Sequence, residues 1–375
     1  KGWRRLRTGV PSEQQATRQC KTTGLMQLAV EARHRPCPAM SDSDRPPAPD
    51  RLTDLLDEGV QEDVVACIEQ LAEADTEDRK RALRAAREVA EERPGVFDGL
   101  AAPFSVFLTD AERAVKLTTA KLFVTVARSE AKAVRPAVDA LADRLADDDE
   151  FYYVRARCAE ALGYVALDAP GDVNDPEILA DFRIGLEFDE PEVKEKLAKA
   201  LAYVTLGDPD RLGYQIESLA AHLDDDNELV RYHLTTALVA VSCEHPRKLA
   251  DAEAALRERL TDENPYVQGR AAEALGVLAE SDVEIESSPN VDVIGTEAEE
   301  TPSFLTERVR FCQRRLADEL SGSTPSGVGT IESVRDGTEE VVEAMTAAEE
   351  GVCPHCGLAL APSGPPVCPR CGAPH

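Results

Sequence analysis

The chain has 375 residues, 71 of them acidic and 42 basic, for a formal net charge of −29, with only 5% aromatics. No stretch approaches the run of about 20 apolar residues that a membrane helix needs, which leaves a soluble, cytoplasmic protein as the expectation. The acid is spread over the whole body and Arg outnumbers Lys, 32 to 10, which reads as halophilic adaptation, since high intracellular salt screens self-repulsion.

Residues 1–39 stand apart. They carry eight Lys or Arg against two acids and hold Trp3, the chain's one Trp. Their net of +6 leaves about −35 for the remainder of the −29 total. Residues 1–50 read as a disordered lead-in, with the folded chain expected to start at Met40 and residues 1–39 additional to it. Gly24–Val30 is too short and polar for the apolar core of a signal peptide. Arg51–Leu71 and Glu77–Glu92 predict two helices of a degenerate, polar-faced terminal unit.

A repeat follows. Five valines, Val115, Val154, Val193, Val230 and Val267, are spaced by 39, 39, 37 and 37 residues. Five positions after each stands Ala120, Ala159, Ala198, Thr235 or Ala272, and eight after it Phe123, Leu162, Leu201, Leu238 or Leu275. Eleven after it stands Val126, Val165, Val204, Val241 or Leu278. These offsets fall on one stripe of a helix with 3.6 residues per turn. The helices expected before these anchors are Gly95–Leu108, Ala133–Ala146, Pro176–Glu187, Asp210–Leu223 and Arg247–Leu260. A period near 40 with two helices per unit is that of a helical solenoid, here of about six hairpins over residues 51–280. Such a fold makes binding surfaces.

An acidic turn joins the two helices of each unit: Asp110, Asp147–Asp149, Asp189-Glu190, Asp224–Asp226 and Asp262-Glu263. Asp before a helix caps its unsatisfied N–H groups, and the triplets lack the alternation and Gly of a calcium loop. One position after each anchor stands Lys116, Arg155, Lys194, Arg231 or Gln268. A cation there can bridge to a neighbouring unit's turn. The turn Asp, the Val-Arg/Lys pair and the Ala-Leu element resemble the HEAT-repeat family, including its short subtype first noticed in phycobilin lyases. Tyr153-Val154-Arg155, Ala159–Gly163 and Ala272–Gly276 carry the resemblance best. It implies an all-α, right-handed solenoid and a scaffold role for most members.

Residues 281–302 read as an acidic linker, 303–320 as a capping helix, and 321–350 as a Gly/Ser linker with a short acidic helix from Thr338. At the C-terminus, Cys353-Pro354-His355-Cys356-Gly357 and Cys368-Pro369-Arg370-Cys371-Gly372 form two matching knuckles. Four thiolates suit one tetrahedral Zn²⁺ and leave no position for water, so the site is expected to be structural. Residues 351–375 resemble the small zinc ribbons at the ends of many archaeal proteins. Cys158, inside the apolar stripe, reads as a core residue.

Together these features predict a non-catalytic scaffold or adaptor. A protein partner, unidentified, binds the curved repeat face, and the ribbon makes a second contact. Tyr164 and Tyr203 share one register position and offer either a contact stripe or inter-repeat packing. One alternative is nucleic-acid binding through the ribbon and two basic helices, carrying Arg79, Lys80, Arg81, Arg84 and Arg87, and Arg308, Arg310, Arg314 and Arg315. Their interspersed acids argue for solvated, salt-bridged faces. A lyase-type enzyme is the other, resting on resemblance alone. His222, His233 and His245 repeat no ligand pattern, and no catalytic set is apparent.

Overall fold

The computed structural model describes residues 49–281, 291, 294, 301–317 and 327–346. The chain divides into two units, Lys1–Arg45 and Pro46–His375, and all described residues belong to the second. Residues 1–39 and the four knuckle cysteines lie outside the described residues, as does most of the acidic stretch 281–302.

Every regular element among the described residues is helical. Two short helices, α1 (Pro49–Glu58) and α2 (Gln61–Ala72), precede the long α3 (Thr76–Glu92). Sequence periodicity merges α1 and α2 into one helix. The structure breaks them at Gly59, whose φ of 72° favours glycine and ends the first helix.

The remaining long helices are α5 (Arg113–Val134), α7 (Tyr152–Asp168), α9 (Pro191–Gly207), α11 (Glu228–Glu244) and α13 (Pro265–Glu280). The short ones between them are α4 (Ala101–Phe104), α6 (Val138–Ala146), α8 (Pro176–Ile184), α10 (Ile216–Ala220) and α12 (Glu253–Arg259). Each short helix packs on the long helix that follows it, and consecutive long helices pack side by side. The result is six hairpins with a long-helix layer and a short-helix layer.

The short layer differs from a row of uniform helices. Pro94, Pro136, Pro170, Pro209 and Pro246 each open a 3₁₀ turn, so these segments run as turn plus short helix. Proline suits a first turn and prevents continuation from the preceding helix.

The repeat register explains the core. All residues five, eight and eleven positions after the anchors are at most 2% exposed. Small residues let the long helices approach: a Cβ on Gly163 would lie 2.8 Å from Cα of Ala200 on the next long helix. Two further helices follow the stack, α14 (Ser303–Leu316) and α15 (Ile331–Thr346). The former packs along α13, and the latter lies against α11 and α9.

A buried stripe of this kind tolerates no charge. Leu238→Asp is expected to destabilise the protein by about 3–5 kcal/mol in chemical denaturation. Tyr214→Ser, at a side chain 92% exposed, should stay within about 0.5 kcal/mol. Equal midpoints for the two variants would refute this register.

Candidate functional site

Two polar systems run along the repeats. The first lies at the acidic turns. Arg79 pairs with Asp110 at 2.8 Å, Lys116 with Glu150 at 2.6 Å, and Arg231 holds Asp262 through two bonds of 2.8 and 2.9 Å. Lys194 pairs with Asp225 in the same way. Lys116, Lys194 and Arg231 each follow an anchor valine, Arg79 stands on the first long helix, and all four reach the next unit's turn, so these pairs tie hairpin to hairpin.

Arg155 departs from this scheme. It donates to the Leu145 carbonyl and Asp148 of its own turn, and its guanidinium stands over the Phe188 ring of the next. Gln268 also turns back, donating to the Asp262 carbonyl.

The turn acids do less capping than expected. Asp110, Asp147, Asp225 and Asp262 accept the backbone N–H two residues on, shaping the turn itself. Side-chain caps stand at Asp75 on α3, Asp175 on α8, Asn227 on α11 and Asn264 on α13, whereas α5, α7 and α9 have none.

The second system lies on the side of the long helices facing away from the short layer, here termed the open face. It uses the positions three, six and ten after each anchor. On α7 these are Arg157, Glu160 and Tyr164; on α9, Lys196, Lys199 and Tyr203; on α11, His233 and Thr236; on α13, Arg270 and Glu273. The sequence contained this register, but mixed charge at those positions reads as a solvated face.

Instead, much of it is buried. Glu160, 4% exposed, accepts from Arg157 at 2.7 Å and lies 3.6 Å from Lys199. Burial alone would raise its pKa, but Lys196, Lys199 and Arg157 pull the carboxyl down to about 2. Lys199 donates to the Tyr164 hydroxyl at 2.8 Å. Burial disfavours its charge, yet Glu160, Tyr164 and Glu339 hold its pKa above the ordinary lysine value.

His233 is different. Its ring is fully buried, and neither ring nitrogen has a hydrogen-bond partner among the described residues. The hydroxyl of Thr236, one turn on, is equally buried and unpartnered. Burial, then Lys199 and Lys196, press the imidazole pKa well below 6.5.

Across this face lies α15. Glu339 accepts from the Tyr164 hydroxyl at 3.1 Å and from Tyr203, and stands 3.4 Å from Lys199. Tyr164 and Tyr203 pack edge to face, with centroids 5.0 Å apart. Their shared position therefore serves inter-repeat packing and an intramolecular contact together. Val341 packs with Tyr232 and Val267.

A buried ionic cluster secures the end of the stack. Glu273 accepts from Arg270 at 2.8 Å, Arg308 of α14 at 2.9 Å and the Gly329 N–H at 2.9 Å. Arg270, also fully buried, reaches the Val334 carbonyl and Thr338 hydroxyl of α15, each at 3.3 Å. Residues 327–330, read in sequence as Gly/Ser linker, form a turn on Glu273. Gly327 and Gly329 adopt φ of 105° and 85°, which favour glycine. The acidic helix starts at Ile331, seven residues before the Thr338 expected from composition.

The two basic helices spend much of their charge internally, while Arg84 and Arg310 are exposed. On α3, Arg79 binds Asp110, Lys80 pairs with Glu77 and Arg87 with Glu91. On α14, Arg308 binds Glu273 and Arg315 pairs with Glu280 at 2.6 Å. Among the described residues, no group of three or more His, Cys, Asp and Glu side chains is placed to hold a metal.

Residues 138–239, from the start of α6 into α11, match the HEAT-repeat family. Among solved structures, three crystallised engineered proteins are similar in fold. One covers 81% of this chain and 85% of its own, with a TM-score of 0.56 at 20% identity. A second covers 57% of this chain and 99% of its own, with a TM-score of 0.51 at 24% identity. The third covers 56% and 96%, at a TM-score of 0.51 and 22% identity. No curated protein matches the sequence.

Two measurements test this geometry. The fold excludes a proton from His233 that the unfolded chain binds below the ordinary value of 6.5. Stability should therefore fall below pH 6.5 by about 1.4 kcal/mol per unit, until the depressed folded pKa is reached. His233→Leu should flatten that slope, leaving acid loss to begin near 4.5, where carboxylates such as Glu160 titrate in the unfolded chain. A slope unchanged by the variant would place the ring elsewhere. Glu273→Gln should weaken the counter-charge of two buried arginines and cost about 3 kcal/mol in a denaturant titration. A neutral effect would mean that Glu273 is not their common partner.

Proposed function

We propose that this protein is a non-catalytic scaffold that binds a protein partner on the open face of its long helices. The observation that supports this reading most is that the open face already holds a helix, α15, through side chains drawn from four successive hairpins. Repeat architectures of this kind present such faces for binding. Six ionisable groups of the face are engaged in two clusters, Arg157, Lys196 and Lys199 with Glu160 and Arg270 with Glu273, while His233 is buried without a partner. That arrangement recognises, and offers no free acid–base pair. Arg79 and Arg87 of α3 and Arg308 and Arg315 of α14 are committed to carboxylates, which reduces the basic surface there for nucleic acid.

The C-terminal knuckles complete the reading. Cys353, Cys356, Cys368 and Cys371 would hold one Zn²⁺ in a closed tetrahedral thiolate site, a tethered module making a second contact. The dispersed acid fits a cytoplasm of high salt.

Photo-crosslinkers at Lys121 or Arg128, on the open side of α5, should capture a protein from a high-salt lysate. The same groups at Ile184 or Tyr214, on the short-helix layer, should not. Capture only from the short-helix layer, or from neither, would refute the scaffold reading. One zinc per chain is expected, and Cys368→Ser should lose it while the helical melt stays unchanged. Iron with visible absorption bands in its place would refute the zinc assignment.

A further inference from the structure

Helix α15 meets the repeats along one side, with Ile331, Val342 and Met345 packed half-buried there. Val334, Thr338 and Val341 are buried, and they form one seam at spacings of four and three residues. Beside the seam, Glu339 is the anchor of the contact: two phenols and an ammonium converge on its carboxylate. The receptor side is built for this. Lys121, Lys196 and Lys199 stand on the open face, three of only ten lysines in a chain of net charge −29.

The fit is incomplete. His233 and Thr236, wholly buried on α11, find no partner on α15. Clefts of about 760, 430 and 290 Å³ run beside α15, lined by its residues Asp336, Glu340 and Ala344, by Glu332 and Arg335, and by Arg335 again. Gly337 sits in mid-helix although a Cβ there would meet nothing within 4 Å. Packing does not require that glycine, and it lowers the helix's own stability.

We infer that α15 is a displaceable intramolecular strap occupying a site for an acidic helix of a partner protein, with Glu339 standing in for the partner's carboxylate. The inference rests on the scaffold reading and names the chemistry of its ligand: a helix with β-branched residues at Val334, Thr338 and Val341 spacing and a carboxylate next to the middle one. Tethering raises the strap's local concentration to about the millimolar range, so a weak contact stays closed until a better-matched helix competes. A partner that also offers hydrogen bonds to His233 and Thr236 gains what the strap leaves unmade.

The test uses the full chain and a fluorescent peptide of residues 330–346. Wild-type protein should bind it weakly, because the site is filled. The unlatched double variant Glu339→Arg, Val341→Asp should keep its repeat melt and bind the peptide at least about 10-fold more tightly. A Glu339→Arg peptide should not bind, and a Gly337→Ala peptide should bind about fivefold better.

Hydrogen exchange on the unmodified chain gives a second readout. Amides of α15 should exchange about 100-fold or more faster than those of α9 and α11, as expected for local opening. Equal protection would overturn the inference, as would an unlatched chain that stays folded yet binds no peptide. Collapse of the repeats on unlatching would make α15 structural. A wild-type dimer that unlatching dissolves would place α15 on a second copy. Either result overturns the strap. If the peptide fails while crosslinks still mark the open face, only the strap falls; peptide binding with no protein captured sinks the scaffold reading alone.

Discussion

One buried carboxylate determines how the end of this chain is arranged. Glu273 brings together the last repeat helix through Arg270, the following helix through Arg308, and the turn into α15 through the Gly329 N–H. Arg270 then extends the same cluster to Val334 and Thr338. The carboxylate is wholly buried, and burial by itself disfavours its charge. Two guanidiniums reverse that and hold its pKa below the ordinary range. Such a cluster adds little net stability over an apolar core, because desolvation offsets the attraction. What it adds is geometry, since a charge buried this deeply accepts only the arrangement that satisfies it.

The same trade recurs at the turns. Arg79, Lys116, Lys194 and Arg231 each reach a carboxylate of the next hairpin, at nearly constant sequence separation. Apolar stripes alone permit sliding, whereas a point contact between a cation and one particular turn sets the offset between units. Arg155 shows the limit of the rule. Phe188 stands in the turn it would have reached, and the guanidinium takes the ring face and its own turn instead.

The repeats were legible in the sequence because their information is local and recurs. Offsets of five, eight and eleven residues map onto one helical stripe, and every such residue is buried. The short layer was less legible, since a hydrophobic count cannot separate a continuous helix from a 3₁₀ turn followed by a short one. Prolines at 94, 136, 170, 209 and 246 held that information. The docking of α15 was hidden for a different reason. Its contacts join residues 136 and 175 apart, and nothing in the composition of an acidic helix says which distant face will receive it. The open face itself could have been found. Tyr164 and Tyr203 were visible as aligned positions, but the alternation of Arg157, Glu160, Lys196 and Lys199 looks like an ordinary solvated surface until burial is known.

That burial is what makes the open face more than a repeat surface. A chain this acidic gains nothing in solubility from lysines, and a face under a helix gains nothing in stability from an imidazole and a hydroxyl without partners. Replacing such groups by aliphatic residues would remove their desolvation penalty and extend the core that the neighbouring positions already form. Retaining His233 and Thr236 in this face makes sense if they meet something other than α15 for part of the time. A surface built only to hold its own helix would satisfy its polar groups with that helix. This one leaves two of them open, and receives the Glu339 carboxylate with two phenols and an ammonium that another acidic helix can use, beside the Arg270 bonds to Val334 and Thr338.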